Sequence, residues 1–271
     1  MNALKAGLVL AVLRLCSLLP LGPARALGRG AARLYWPFRG RSRRVTERNI
    51  QGVFPGLDPA AQQALSKHSL CATGELAAEM GHVWMRTWPH VSGLIREVRG
   101  SELVAGAQAA GRGVIVLAPH LGNWEMIGLH LPTLGSTVSL YEPPQLSALG
   151  PVIERARQRS GARLVPTDSR GLARLLKSVR AGGIAGILPD QVPPDVNAGE
   201  NSVFMGLPCF TGTLACNMIR RTGALAIFGF AERVSGGFVL HYQGAEPAIY
   251  DPDTAVSLAA LNRGVEACVR Q

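Results

Sequence analysis

Short unbroken apolar runs alternate with helical patterns from about residue 113 onward, and that alternation narrows the possible folds more than any other feature of the chain. Residues 113–118 read Gly-Val-Ile-Val-Leu-Ala, bounded by Pro119. A short continuous apolar run between turn residues marks a strand buried on both faces. Residues 138–140, 163–165 and 184–188 read as further strands, and 224–230 and 237–242 add two more. Helices are expected at about 123–131 and 146–159, from the Asp168 cap through Val179, and at 213–222 and 254–270. Asp168 would cap the third, which carries Leu172, Leu175, Leu176 and Val179. Strands alternating with helices imply an α/β fold with a mostly parallel central sheet flanked by helices. In such sheets ligands collect at the carboxyl ends of strands. Two expected strands end there in reactive residues, Ala118-Pro119-His120 and Leu188-Pro189-Asp190.

The chain before residue 113 reads differently. Residues 46–90 look helical, with Asp58 as a cap, Pro59 as a first helical residue, and a second helix from about Leu70 to Trp84. Ahead of them, residues 6–21 are apolar but broken by Arg14 and Pro20. A full span needs about 20 mostly apolar residues, so this stretch is marginal. Ala24-Arg25-Ala26 loosely matches a signal-cleavage site, but Arg14 interrupts the apolar region and arginines crowd the downstream side. The expectation is an uncleaved, membrane-associated N-terminal helix lying in, or dipping through, the inner leaflet on the cytoplasmic side. Residues 1–45 would form this helix and its basic juxtamembrane segment, and 46–271 the main domain.

The formal charge is +10, which calls for an acidic partner. Eight arginines fall between positions 25 and 48, directly after the apolar stretch, as in segments that meet an anionic membrane surface. Tyr35, Trp36 and Phe38 lie within this run as interfacial anchors would, and no nucleic-acid reading motif occurs, so nucleic acid is not expected. The five cysteines are odd in number and include no CxxC pair, which suggests neither a disulfide framework nor a zinc site.

The segment from Ala118 to Glu125 holds the strongest chemical signal. His120 follows a buried strand, and Glu125 lies five residues on, early in the next helix. A turn between them could set the carboxylate against one imidazole nitrogen and leave the other as a base. Such a pair can take a proton from an alcohol as it attacks a thioester. Gly122 permits a tight backbone, and Asn123 can cap the helix. The plainer alternative is a His and a Glu that meet by chance in a loop. No H-E-x-x-H, G-x-S-x-G, P-loop or G-x-G-x-x-G motif occurs, so acyl transfer from an activated thioester fits, with no metal expected.

His120-Leu-Gly-Asn-Trp-Glu125 resembles the H-x-x-x-x-[DE] motif of the lysophospholipid and glycerolipid acyltransferase superfamily. The Gly-Asn-Trp-Glu form resembles its branch of lipid A late acyltransferases, which add lauroyl or myristoyl chains. Arg48-Asn49-Ile50, Val53-Phe54-Pro55, Glu79 with Trp84, Leu188-Pro-Asp190-Gln191, Val203-Phe-Met-Gly206 and Thr211-Gly212 are similar to that family's other blocks in their order. The resemblance covers roughly residues 5 to 270. It implies a glycerolipid-acyltransferase-like fold, His120 as general base and Glu125 as its orienting partner. It also implies Arg157, Arg155, Asp190 and Asn123 as substrate-binding residues. The donor would be acyl-acyl carrier protein, a co-substrate rather than a cofactor. The acceptor would be a Kdo-bearing lipid A precursor, placing the work at the cytoplasmic face of the inner membrane. Other lipid acceptors, or a non-catalytic membrane-binding role, are the alternatives. Family members continue with a basic, aromatic segment where this sequence ends at Gln271.

Overall fold

The computed structural model describes residues 2–271. They group into two compact units: one runs to Arg86 and takes in 205–207, and the other holds 87–204 and 208–271.

The first unit contains helices α1 (Asn2–Leu18), α2 (Leu21–Tyr35), α3 (Arg41–Val53) and α4 (Pro59–Met85). The first three all pack on α4. The unit therefore continues past residue 45, which lies inside α3. As expected, Asp58 caps α4, accepting from the backbone N–H groups of Ala60 and Ala61, and Pro59 takes the first helical position. Instead of two helices, residues 59–85 form one continuous helix. Glycines 74 and 81 stay helical within it because other backbone lies against them. A Cβ on Gly74 would sit 2.3 Å from the Gly28 carbonyl oxygen, and one on Gly81 would sit 2.5 Å from that of Leu13. Close by, the buried Arg25 guanidinium donates to buried Glu79 at 2.7 Å and ties α2 to α4. Among the described residues no helix is long and apolar enough to cross a membrane.

The second unit opens with a short α5 (Trp88–Ser92), β1 (Ile95–Arg99) and α6 (Glu102–Ala109). Then come β2 (Val114–Leu117), α7 (Trp124–Leu134), β3 (Thr137–Tyr141), α8 (Gly150–Gln158), β4 (Arg163–Pro166), α9 (Ser169–Arg180) and β5 (Ile184–Ile187). A hairpin of β6 (Gly199–Phe204) and β7 (Leu207–Gly212) follows, then α10 (Leu214–Thr222), β8 (Leu225–Val234), β9 (Gly237–Gly244) and α11 (Thr254–Arg270). Seven strands form one sheet in the order β1-β9-β8-β2-β5-β3-β4. All neighbours are parallel except β8 and β9, which pair antiparallel. The structure thus has the mostly parallel, helix-flanked sheet expected from the sequence.

The central position of β2 explains its composition. All four of its residues are fully buried. Its odd side chains, Ile115 and Leu117, join a core with residues of α9, α10 and α11 on one face. Val116 points the other way, where Ile127 of α7 approaches the same spot over Gly229. Burying one such aliphatic side chain is worth about 1.5–3 kcal/mol, and the sheet buries them on both faces.

Candidate active site

The register between β2 and β5 sets the site. Val114 pairs with Ile184 and Leu117 with Ile187, a constant offset of 70 residues. The pairing reaches one step further, where the Ala118 N–H donates to the Ile187 carbonyl at 2.8 Å. Each strand then leads into a proline, Pro119 or Pro189, and the next residues are His120 and Asp190. Parallel strands in register therefore deliver the imidazole and the carboxylate side by side.

Asp190 holds His120 at two points. The His120 backbone N–H donates to Oδ2 at 2.8 Å, and Nδ1 lies 2.9 Å from Oδ1. A carboxylate can only accept, so Nδ1 carries the proton and Nε2 keeps its lone pair. The Gln191 side-chain amide stands 3.2 Å from Nε2 and donates to it. Trp124 meets the imidazole edge-on, with ring centroids 4.7 Å apart. His120 and Asp190 keep 26% and 22% of their side-chain surface in contact with solvent, so a substrate can reach the base.

The loop from His120 into α7 needs its glycine. Gly122 has φ of +58°, and a Cβ there would lie 2.2 Å from the Ala231 carbonyl oxygen. Asn123 follows, fully buried at the N-cap of α7 with no side-chain cap bond to the helix.

Glu125 does not hold the imidazole. Its carboxylate, 4% exposed, is gripped by Arg157 of α8: Nε lies 3.1 and 3.0 Å from the two oxygens, and Nη2 lies 2.5 Å from Oε1. Burial alone would lower the Arg157 pKa, but the facing Glu125 charge raises it overall. The expected His120–Glu125 contact is thus replaced by two separate pairs, His120–Asp190 and Glu125–Arg157. The reason is geometric, since strand register supplies a carboxylate to His120 and a guanidinium meets Glu125 where the first turn of α7 faces α8. Arg155 is exposed; two residues from Arg157, it lies about 200° round the helix. Arg159 feels Glu125 as well, although burial lowers its pKa. Gln191, Trp124 and Arg159 carry no role in the sequence reading, although Gln191 directly follows Asp190 and Trp124 directly precedes Glu125 in the quoted blocks.

The buried pair makes a stability prediction. Changing Arg157 to Gln should strand the Glu125 carboxylate and cost about 3 kcal/mol, at the low end for a broken buried pair because Arg157 keeps some exposure. Urea unfolding of the variant checks this, and an unchanged midpoint would refute it.

Beside these pairs an apolar cavity of about 570 Å³, counting its open mouth, runs between α7 and the sheet. Ile127, Gly128, Leu131, Leu140, Leu164 and Ile187 line it, and Glu125 and Arg157 also border it. A Cβ placed on Gly128 would meet nothing within 4 Å, so the glycine leaves width in the cavity. Among the described residues no cluster of three or more His, Cys, Asp or Glu side chains is placed to hold a metal ion. Burial pushes the Cys216 thiol up and the Cys268 thiol up to about 11, which keeps both as protonated, weak nucleophiles at neutral pH.

Comparison with known proteins bears on this geometry. The sequence model for bacterial lipid A biosynthesis acyltransferases matches residues 2–271. Over 272 aligned positions the chain is 24% identical to a lipid A biosynthesis lauroyltransferase of Escherichia coli (strain K12), spanning 95% of this chain and 84% of that protein. It is 23% identical over 238 positions to a lipid A biosynthesis acyltransferase of Haemophilus influenzae, spanning 84% and 71%.

Proposed function

Because the chain belongs to the bacterial lipid A biosynthesis acyltransferase family and is an acyltransferase, we propose that it moves a fatty acyl chain from acyl-acyl carrier protein to a hydroxyl of a Kdo-containing lipid A precursor, at the cytoplasmic face of the inner membrane. The carrying observation is His120 held by Asp190 through both its backbone N–H and Nδ1, which leaves Nε2 as a base, while Trp124 at the edge of the same ring lines an apolar cavity. Nε2 takes the proton of the acceptor hydroxyl as its oxygen attacks the thioester carbon. The tetrahedral intermediate then collapses, the carbon–sulfur bond breaks, and the imidazolium returns the proton to the leaving thiolate. The transfer is direct, and no covalent acyl-enzyme forms. Before the hydroxyl can bind, the Gln191 amide must leave Nε2.

Arg157 and Glu125 serve this reaction from the cavity's border. The partly exposed Arg157 guanidinium offers positive charge where the donor's phosphopantetheine arrives, and Glu125 fixes its direction. Asp190 acts as a positioning residue for His120 and not as a substrate contact. Asn123 and Arg155 remain weaker substrate contacts in this reading, since one is buried behind the loop and the other points to solvent.

The donor and acceptor are tested by one assay in detergent. Radiolabelled Kdo-lipid A precursor, the same lipid without Kdo, and a lysophospholipid are each paired with lauroyl- or myristoyl-acyl carrier protein and with the matching acyl-CoA. Transfer confined to the carrier-protein donor and the Kdo-bearing lipid is the expected result; equal use of the lysophospholipid would overturn the assignment.

The cavity also makes a length prediction. Changing Gly128 to Leu should shorten the longest acyl chain accepted by several methylenes. Each excess methylene would then be disfavoured by about tenfold or more, the usual discrimination of a tight apolar pocket. Competition between donors of graded length, read by mass spectrometry of the product, checks this. An unshifted length profile would place the acyl chain elsewhere.

A further inference from the structure

The first unit leaves apolar surface uncovered. Leu4, Leu8, Val12, Leu15 and Leu18 of α1 are 49–82% exposed. Their spacing of three and four residues puts them on one stripe of the helix. The opposite face, with Ala6, Leu13 and Cys16, is buried. Lys5 and Arg14 are exposed on the two flanks of the stripe, about 80–100° to either side of its centre. On α2, Leu27 and Leu34 are exposed too, and Phe38 stands out just beyond it. Between α1, α2 and α4 lies an open apolar groove of about 890 Å³, lined by Val12, Cys16, Leu27, Ala31, Leu70 and Ala77 among others.

Charge identifies what covers this surface. Residues 1–86 hold twelve Lys and Arg against four Asp and Glu, a surplus of eight in a chain whose total is +10. Neither α1 nor α2 contains an acidic residue. A second copy packed on the stripe would set Lys5 and Arg14 against their own kind, with no acid to relieve them. An anionic bilayer supplies both needs, hydrocarbon for the leucines and negative headgroups for the flanking cations.

We propose that α1 lies in the plane of one leaflet of an anionic bilayer, its leucine stripe facing the hydrocarbon and a lipid acyl chain filling the groove between α1, α2 and α4. This rests on the reading of the chain as an inner-membrane acyltransferase and adds the mode of attachment. At about 1.5 Å per residue, α1 is shorter than the roughly 30 Å hydrocarbon core, and one of its faces is already committed to α4. An in-plane helix brings an amphiphilic acceptor to the enzyme without the enzyme crossing the bilayer.

The test uses the full chain and vesicles of phosphatidylcholine, alone or mixed with an equal amount of phosphatidylglycerol. Leu8→Trp and Leu15→Trp variants are read against the unmodified chain by quenching with shallow- and deep-labelled doxyl lipids. Both positions should be quenched at one shallow depth, and only with phosphatidylglycerol present. Depths differing by about 10 Å, the axial distance between the two positions, would mean a spanning helix and overturn the proposal. Leu8→Asp combined with Leu15→Asp should lower vesicle binding at least about tenfold while leaving transfer in detergent intact. Unchanged binding, or lipid-free dimers that the double change dissolves, would also overturn it. An unmutated chain that binds vesicles in this way but transfers nothing would sink the enzymatic reading and leave the attachment standing.

Discussion

Replacing His120 with alanine should lower acyl transfer by about 10²–10⁴, the range for loss of a general base. The chain should stay folded. His120 lies past the end of β2 with a quarter of its side chain exposed, and Asp190 would still accept from the backbone N–H of residue 120. What disappears is the Nε2 lone pair, and the buried, protonated thiols of Cys216 and Cys268 cannot stand in for it. The measurement is initial-rate transfer in detergent alongside a thermal melt. A variant within tenfold of the unmutated chain would show that the base is elsewhere.

The second large effect separates two carboxylates. Changing Asp190 to Asn should cut kcat by about 10³–10⁴ with little change in KM, as when the carboxylate behind a catalytic histidine becomes an amide. Asparagine keeps the shape, but its NH₂ can donate to Nδ1 and turn the proton onto Nε2, which is the wrong tautomer for a base. Changing Glu125 to Gln leaves the tautomer alone. It strips Arg157 of its ionic partner, so its losses should appear in stability and in KM for the donor. Steady-state kinetics on both variants, with urea midpoints for each, separates the two. If Glu125→Gln removed kcat at unchanged stability while Asp190→Asn stayed active, then Glu125 would orient the imidazole after all.

That contrast shows where the sequence was legible. Uniform apolar runs such as 114–117 are visible because a central parallel strand must be apolar on both faces, and the sheet follows from their alternation with helices. Caps at Asp58 and Asp168 are local chemistry, so both could be read directly. The edge strand β1, reading Ile-Arg-Glu-Val-Arg, carries little apolar signal because much of its surface is exposed. The β6–β7 hairpin is invisible in the sequence for a similar reason, its residues being mixed and its turn hidden in Met205-Gly206. In the site, His120 is legible from its motif, but its partner Asp190 lies seventy residues on and not the five that the motif suggests. The clue was present, since both strands end in an apolar residue, a proline and then a titratable group. Using it required knowing that β2 and β5 are neighbours, and strand order is a tertiary fact that local patterns do not carry. Arg157 was legible as a basic residue on a helix, yet its task depended on α8 lying against α7.

The contact between Gly28 and Gly74 has a consequence for how the first unit meets its surroundings. A methyl group on Gly28 would fall 2.1 Å from the Gly74 carbonyl oxygen, so the two helices touch main chain to main chain. Such a contact fixes the rotational phase of α2. Turning the helix by a single residue, about 100°, would bring a side chain into that gap. The same phase decides which way Leu27 and Leu34 point and which way Arg29 and Arg33 point. Two missing side chains thus act as a keel, setting the attitude of an entire oily and cationic surface.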